Sequence, residues 1–270
     1  MLRLAFSALL LLGGASASAA PRRIVSLNPC LDAILVHVAD PQRIAGISHY
    51  SRDPNASVIP EQAKRFRVAH PTAEAVLALK PDLVLAGRHT ALATRNALTR
   101  LKMPVTVFDA PESVAESRAQ VRRIAALIGN PRGGERLIRR IDAALASGAS
   151  SGPAVPTLIH HPSGLTPGAL TLPDELLRRT GFRNMASVYG LRGWSKVGME
   201  TIISRPPSLL LAAAGDGGTS AATWLAHPAL RGLRRTVRQV PIPAKLFYCG
   251  GPTIIAASRA LAAIRRGQNR

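Results

Sequence analysis

The chain has 270 residues, 47% of them hydrophobic and 4% aromatic, which is too apolar for a disordered polymer and long enough for two lobes with cores of their own. Lys and Arg number 35 against 15 Asp and Glu, a formal charge of +20. The arginines are spread along the whole chain, which argues against a dedicated nucleic-acid arm and leaves a basic cleft for an anionic ligand open.

Residues 1–20 read as an export leader. Arg3 supplies the positive start, Leu4 to Leu12 an apolar run, and Gly13 to Ala20 the small residues, with Ala17-Ser18-Ala19 fitting the cleavage rule. Cleavage is expected near Ala19 or Ala20. The apolar run is far short of the roughly 20 residues that span a bilayer. No cysteine stands at the boundary, so a lipid anchor is not expected.

The rest alternates between extended and helical patterns. Arg23–Leu27 reads as a strand ending at Asn28-Pro29, and Leu31, Ile34, Leu35 and Val38 form one apolar helical face that Pro41 stops. Arg43–Ile47 is a strand followed by the polar loop His49–Pro54. Thr72–Leu79 is a helix with Thr72 as N-cap, and Asp82–Ala86 is a strand. Leu92–Leu101 is a helix and Met103–Phe108 a strand. Ser113–Ile128 and Arg132–Ala146 are helices separated by Gly129-Asn130-Pro131, and Ser147–Pro156 reads as a loop or hinge. The alternation then restarts. Thr157–His160 is a strand, Pro173–Thr180 and Met199–Ser204 are helices, and Ser208–Ala212 is a strand. Leu225–Leu233 is helical, Thr236–Val240 and Ala244–Tyr248 are extended, and Thr253–Arg265 is the closing helix. Strands separated by helices imply parallel sheets covered by helices.

The halves share a register. Glu74 precedes Pro81 by seven residues and a strand follows; Glu200 precedes Pro207 by seven and a strand follows. This predicts an α/β protein of two related lobes. The N-terminal lobe takes 21–110, a helical connector 111–152 and the C-terminal lobe 153–270, with a ligand cleft between the lobes. In open α/β sheets ligands lie beyond the carboxyl ends of the strands. That places Asn28, Cys30, His49, Tyr50, Arg88 and His89 on the cleft side of the first lobe, with His70 near them. In the second lobe it places His160, Trp194, Asp216 and Cys249, with His161, Tyr189 and Tyr248 nearby.

Arg88 is suited to an anionic chelate, and the flat faces of Tyr50 and Trp194 to a macrocycle. Imidazole is a common metal and haem ligand, but His160-His161 on a strand point to opposite faces and cannot both serve one ion. Cys30 and Cys249 are compatible with a disulfide, two buried thiols or a thiolate on a ligand metal. A disulfide would tether the lobes; free thiols would suit ligand exchange better. No Walker loop, Gly-x-Ser-x-Gly elbow or Gly-x-Gly-x-x-Gly occurs. The alternatives are an exported α/β hydrolase, suggested by Ser163-Gly164 near His161, or a basic module for nucleic acid or another anion.

Ile47–Pro54, Thr72–Ala86 and Arg23–Pro29 in the first half, with Glu175–Asn184 and Trp194–Glu200 in the second, resemble the helical-backbone class of periplasmic binding proteins, which serves ABC importers. That class includes vitamin B12-binding and ferric-siderophore-binding proteins. The resemblance spans nearly all of the chain after the leader. It implies a monomer without enzymatic activity or resident cofactor, working in the periplasm. Its ligand is a cobalt or iron chelate: cobalamin, a ferric siderophore or haem. It further implies one long helix between the lobes, for which Arg132–Ala146 is the candidate, and an importer permease with its ATPase as partner. Glu74 and Glu200 are the carboxylates that dock on permease arginines. Tyr50 and Trp194 match positions lining the pocket of the vitamin B12-binding relatives. Those relatives carry further aromatics near His70 and Gly87, which this chain lacks.

Overall fold

The computed structural model describes residues 20–161, 164–214, 233 and 235–268. The expected leader, Ser163, Asp216 and most of the expected helix Leu225–Leu233 lie outside them.

The first sheet is built from β1 (Ile24–Ser26), β2 (Ile44–Ser48), β3 (Val68–Ala69), β4 (Leu83–Gly87) and β5 (Val105–Phe108). All of its pairs are parallel, in the order β3-β2-β1-β4-β5. Between them run α1 (Pro29–Val38), α2 (Pro60–Ala63), α3 (Ala73–Ala78) and α4 (Leu92–Arg100). Then come α5 (Val114–Leu127) and α6 (Pro131–Gly148), ahead of the second sheet. That sheet holds β6 (Val155–His160), β8 (Phe182–Asn184), β10 (Leu209–Ala214) and β11 (Arg238–Pro243), all parallel, in the order β11-β10-β6-β8. A two-stranded antiparallel ribbon, β7 (Leu165–Pro167) with β9 (Trp194–Lys196), lies beside it. The remaining helices are α7 (Leu172–Arg179), α8 (Met185–Val188), α9 (Met199–Ser204) and α10 (Thr253–Arg266).

The two sheets repeat one topology. In each, the first strand is central, the chain moves to one side, then crosses back to build the other. The reversal falls between β1 and β4 in the first lobe and between β6 and β10 in the second. Each crossing strand follows a six-residue helix, α3 or α9, with a glutamate in its first turn. The duplicated register of Glu74 and Glu200 is the linear trace of this.

Strand alternation assigns the faces. Leu83, Leu85, Leu209 and Leu211 point to a common core; Val84 and Leu210 point away, each into a smaller cluster under the outer helices. Both sheet faces are buried, as parallel sheets require. The common core includes residues of both sheets and of α6: Ile24, Ile159 and the α6 residues Leu137, Ile138, Ile141 and Leu145 belong to one buried cluster. Asn130 caps this helix by accepting from Gly133 N at 3.0 Å, and Pro131 sits in its first turn. Its 18 residues reach about 27 Å at 1.5 Å each, against the fifteen expected from sequence.

Ala244–Tyr248, expected to be extended, instead forms a 3-10 turn over Ala244–Phe247 after Pro243, with Ala244, Leu246 and Phe247 buried. Three buried residues within four exceed what a strand of period two places on one face. The turn belongs to a junction between the lobes. Lys245 Nζ donates to the Pro54 carbonyl at 2.5 Å, and Gly251 N donates to Ser117 Oγ at 2.7 Å. Gly251 has φ +59°, and a Cβ there would stand 2.6 Å from Ile34 Cγ1, so glycine alone fits both backbone and space.

Candidate functional site

The carboxyl ends of the switch-point strands deliver residues of both lobes to one crevice. From β1 come Asn28 and Cys30; from β4, Arg88 and His89; from β2, the 3-10 turn His49–Arg52. From β6 comes His161, from the ribbon Trp194, and from the segment after β11 Tyr248 and Cys249.

The sulfurs of Cys30 and Cys249 form a disulfide that ties the start of α1 to the loop before α10. Of the three states open from sequence, the structure holds the disulfide: bonded to each other, neither sulfur offers a thiolate. Asn28 is likewise occupied. Its Oδ1 accepts from Cys30 N at 2.9 Å and Leu31 N at 3.3 Å, capping α1, and its amide fills the space beside Gly87. Arg88 is exposed and paired with Asp109 at 2.5 Å, so an incoming anion must compete with a carboxylate already in place. His89 is exposed beside it. These residues of the first lobe surround a hollow of only about 40 Å³. Ligand pockets typically measure roughly 300–1,000 Å³, so this hollow is too small to enclose a ligand by itself.

Two aromatic clusters lie near the strand ends, one in each lobe. In the first lobe the His49 ring lies 3.9 Å from the Tyr50 ring and 5.7 Å from the His70 ring, centroid to centroid. Tyr50 is 53% exposed. In the second lobe His161 Nε2 is hydrogen-bonded to the Tyr248 hydroxyl, and Trp194 stands edge-on to the same imidazole with centroids 6.5 Å apart. Pairing of Pro167 with Trp194 across β7 and β9 brings the indole there. Trp194 and Tyr248 are 39% and 42% exposed. Burial lowers the His161 pKa, favouring the neutral imidazole, and raises that of Tyr248.

His160, expected at the ligand, is 4% exposed, and burial with the neighbouring His161 lowers its pKa to about 4. The strand's alternation turns His160 inward and leaves His161, at the strand end, on the crevice side. Tyr189 is turned aside, its hydroxyl donating to the Arg205 carbonyl at 2.5 Å. Asp216 lies outside the described residues.

Sequence reasoning missed Asp32. It stands in the first turn of α1 with 0% exposure, and its Oδ2 accepts from Ser48 N at 2.9 Å and Ser51 Oγ at 2.6 Å. Burial pushes its pKa up to about 8, against the lowering effect of Ser26, Ser51 and Ser48. The Ser26 hydroxyl is near enough to act on the acid, yet neither it nor Asp32 Oδ1 completes a hydrogen bond of ordinary geometry. The available signal was an acid inside the apolar stretch from Leu31 to Leu35.

Glu74 and Glu200 are exposed, and neither carboxylate makes an ion pair or hydrogen bond among the described residues. A separate groove of about 610 Å³, lined by Arg23, His37, Ile44, Arg65, Phe66 and Arg67, opens at the amino ends of β1 and β2. Its larger volume does not make it the site, because the switch-point geometry concentrates polar and aromatic groups at the opposite ends of these strands. No helix of the described residues is long and apolar enough to cross a membrane.

Comparison with solved structures returns the same fold. The periplasmic heme-binding protein RhuT from Roseiflexus sp. RS-1 superposes with a TM-score of 0.72 at 22% identity, covering 91% of this chain and 97% of that one. A periplasmic heme-binding protein from Pseudomonas aeruginosa gives 0.70 at 22% identity, covering 90% and 92%. The periplasmic vitamin B12-binding protein BtuF of Vibrio cholerae gives 0.67 at 17% identity, covering 93% and 98%. No curated protein matches in sequence. The sequence model of the periplasmic binding protein family matches residues 24–239, from β1 into β11, and the chain therefore belongs to this family of solute-binding proteins rather than to an enzyme family.

Proposed function

We propose that this protein captures haem between its lobes and delivers it to the permease of an ABC importer. The observation that carries the reading is the His161–Tyr248 pair at the crevice. Imidazole and phenolate are both established axial ligands of haem iron, and here they stand side by side at a strand end. The proximity of the two side chains lets the imidazole accept the phenol proton as the oxygen turns to ferric iron. Trp194 supplies an edge for the macrocycle, and the Tyr50–His49–His70 cluster forms the facing wall. The similar structures from Roseiflexus and Pseudomonas aeruginosa are periplasmic heme-binding proteins, which supports the same class.

A corrinoid is the second reading, favoured by the likeness to the vitamin B12-binding protein. It makes less use of a histidine and a tyrosine held together, and the chain has few stacking faces. Delivery rests on Glu74 and Glu200, two unpaired anions on a strongly basic chain, each at a helix start where the helix dipole stabilises negative charge. Arginines of a permease match them in geometry. Export by the leader at residues 1–20 places the mature chain in the periplasm. Titration of the purified mature chain with haemin and with cyanocobalamin, followed by absorbance, tests the choice. Saturable haemin binding with a shifted Soret band supports it; cobalamin binding without haemin binding overturns it.

A further inference from the structure

The His49–Arg52 turn has a buried anchor. The Ser48 amide and Ser51 hydroxyl, on either side of His49 and Tyr50, both donate to one oxygen of Asp32, at 2.9 and 2.6 Å. Asp32 and Ser51 are 0% exposed and Ser48 is 2% exposed, so no solvent replaces these bonds. Above the anchor sit the ring contacts of His49 with Tyr50 and His70. On its other side Asp32 Oδ1 faces the Ser26 hydroxyl, and neither completes a hydrogen bond of ordinary geometry.

We propose that Asp32 is a positioning residue of the ligand site, holding the His49–Arg52 turn so that His49 and Tyr50 form the first-lobe wall against the bound chelate. The inference rests on the crevice being the ligand site. It assigns a binding role to a residue that touches no ligand. An acid in the first turn of a helix is ordinarily solvated and serves the helix dipole. Asp32 is sealed from water and spends its hydrogen bonds on a different element.

The test uses the mature full chain with Asp32 replaced by Asn, which keeps an acceptor oxygen for both donors, and by Ala, which keeps none. A milder variant, Ser51→Ala, removes one donor. In the unliganded protein, hydrogen exchange of the Ser48 amide is expected to rise about tenfold or more in the Ala variant and to stay near wild type in the Asn variant, with β4 and α6 amides unchanged in both. Haemin release is expected to quicken about tenfold in the Ala variant, less in Ser51→Ala, and to be restored by Asn. In a His49→Ala, Tyr50→Ala background the Ala change at Asp32 should add nothing. The assignment is overturned if Ala leaves exchange and release at wild-type values, if Asn is as damaging as Ala, or if the effect on release persists in the His49, Tyr50 background. A wild-type chain that binds no haemin removes the porphyrin reading. The exchange measurement then decides the anchor on its own, a protected Ser48 amide in the Ala variant overturning it.

Discussion

Cys30, in the first turn of α1, is joined by a disulfide to Cys249, 219 residues later in the loop before α10, so a covalent bond crosses between the two halves of the chain. With the Lys245–Pro54 hydrogen bond and the packing of Gly251 on Ile34, it makes a fixed junction on one side of the crevice.

Replacing both cysteines by serine removes this constraint on the unfolded chain. The expected loss is about 2–5 kcal/mol of unfolding free energy. Denaturant titration of the oxidised protein and the double variant measures it. Equal midpoints would show that the bond contributes nothing to stability. Haemin affinity should survive the change, because sulfurs bonded to each other offer no thiolate to iron.

Asp32 predicts an unusual pH dependence. Its folded pKa, about 8, lies above the ordinary carboxyl value of 3.8, so the folded state holds the proton more tightly. The stabilising contribution is therefore complete below about pH 4 and is lost as pH rises toward 8. Asp32→Asn mimics the protonated acid at every pH. It should raise stability at pH 8 by on the order of a few kcal/mol and flatten the slope between pH 4 and 8. Thermal melts across that range check the sign: a variant less stable than wild type at pH 8 would refute it.

Gly251→Ala should destabilise the junction by roughly 1–3 kcal/mol, since it combines a left-handed backbone with a contact to Ile34 Cγ1 that would have to give way. Paired melts of wild type and variant decide this. An unchanged melting temperature would mean that the loop shifts freely, and that the junction is not fixed.

Glu74→Lys and Glu200→Lys should leave folding within about 0.5 kcal/mol of wild type, because both side chains are exposed and unpaired. Ligand binding should also be unchanged, while uptake through the permease falls in each single variant and is abolished in the double. Uptake assays in cells with matched periplasmic protein levels separate these effects. Normal uptake in the double variant would end the docking role.

Much of the fold was legible because its signals are local. The continuous apolar runs Leu83–Leu85 and Leu209–Leu211, and the matched spacing of Glu74–Pro81 and Glu200–Pro207, mark strands and duplication without any tertiary knowledge. The site was less legible because it depends on register and on distant partners. One residue decides whether His160 or His161 faces the crevice, and strand composition does not say which. Nothing near Cys30 indicates that Cys249 is its neighbour. Ala244–Phe247 has the composition of a strand, yet burial at the lobe junction winds it into a turn. Asp32 reads as a routine acid at a helix start until the Ser48–Ser51 turn is seen above it.

The most direct test of the account is the Soret spectrum of the mature protein with haemin, compared with His161→Ala, Tyr248→Phe and the double variant. The account predicts a saturable wild-type complex, a changed band position in each single variant and loss of most affinity in the double. A double variant that binds haemin with wild-type spectrum and affinity would contradict it.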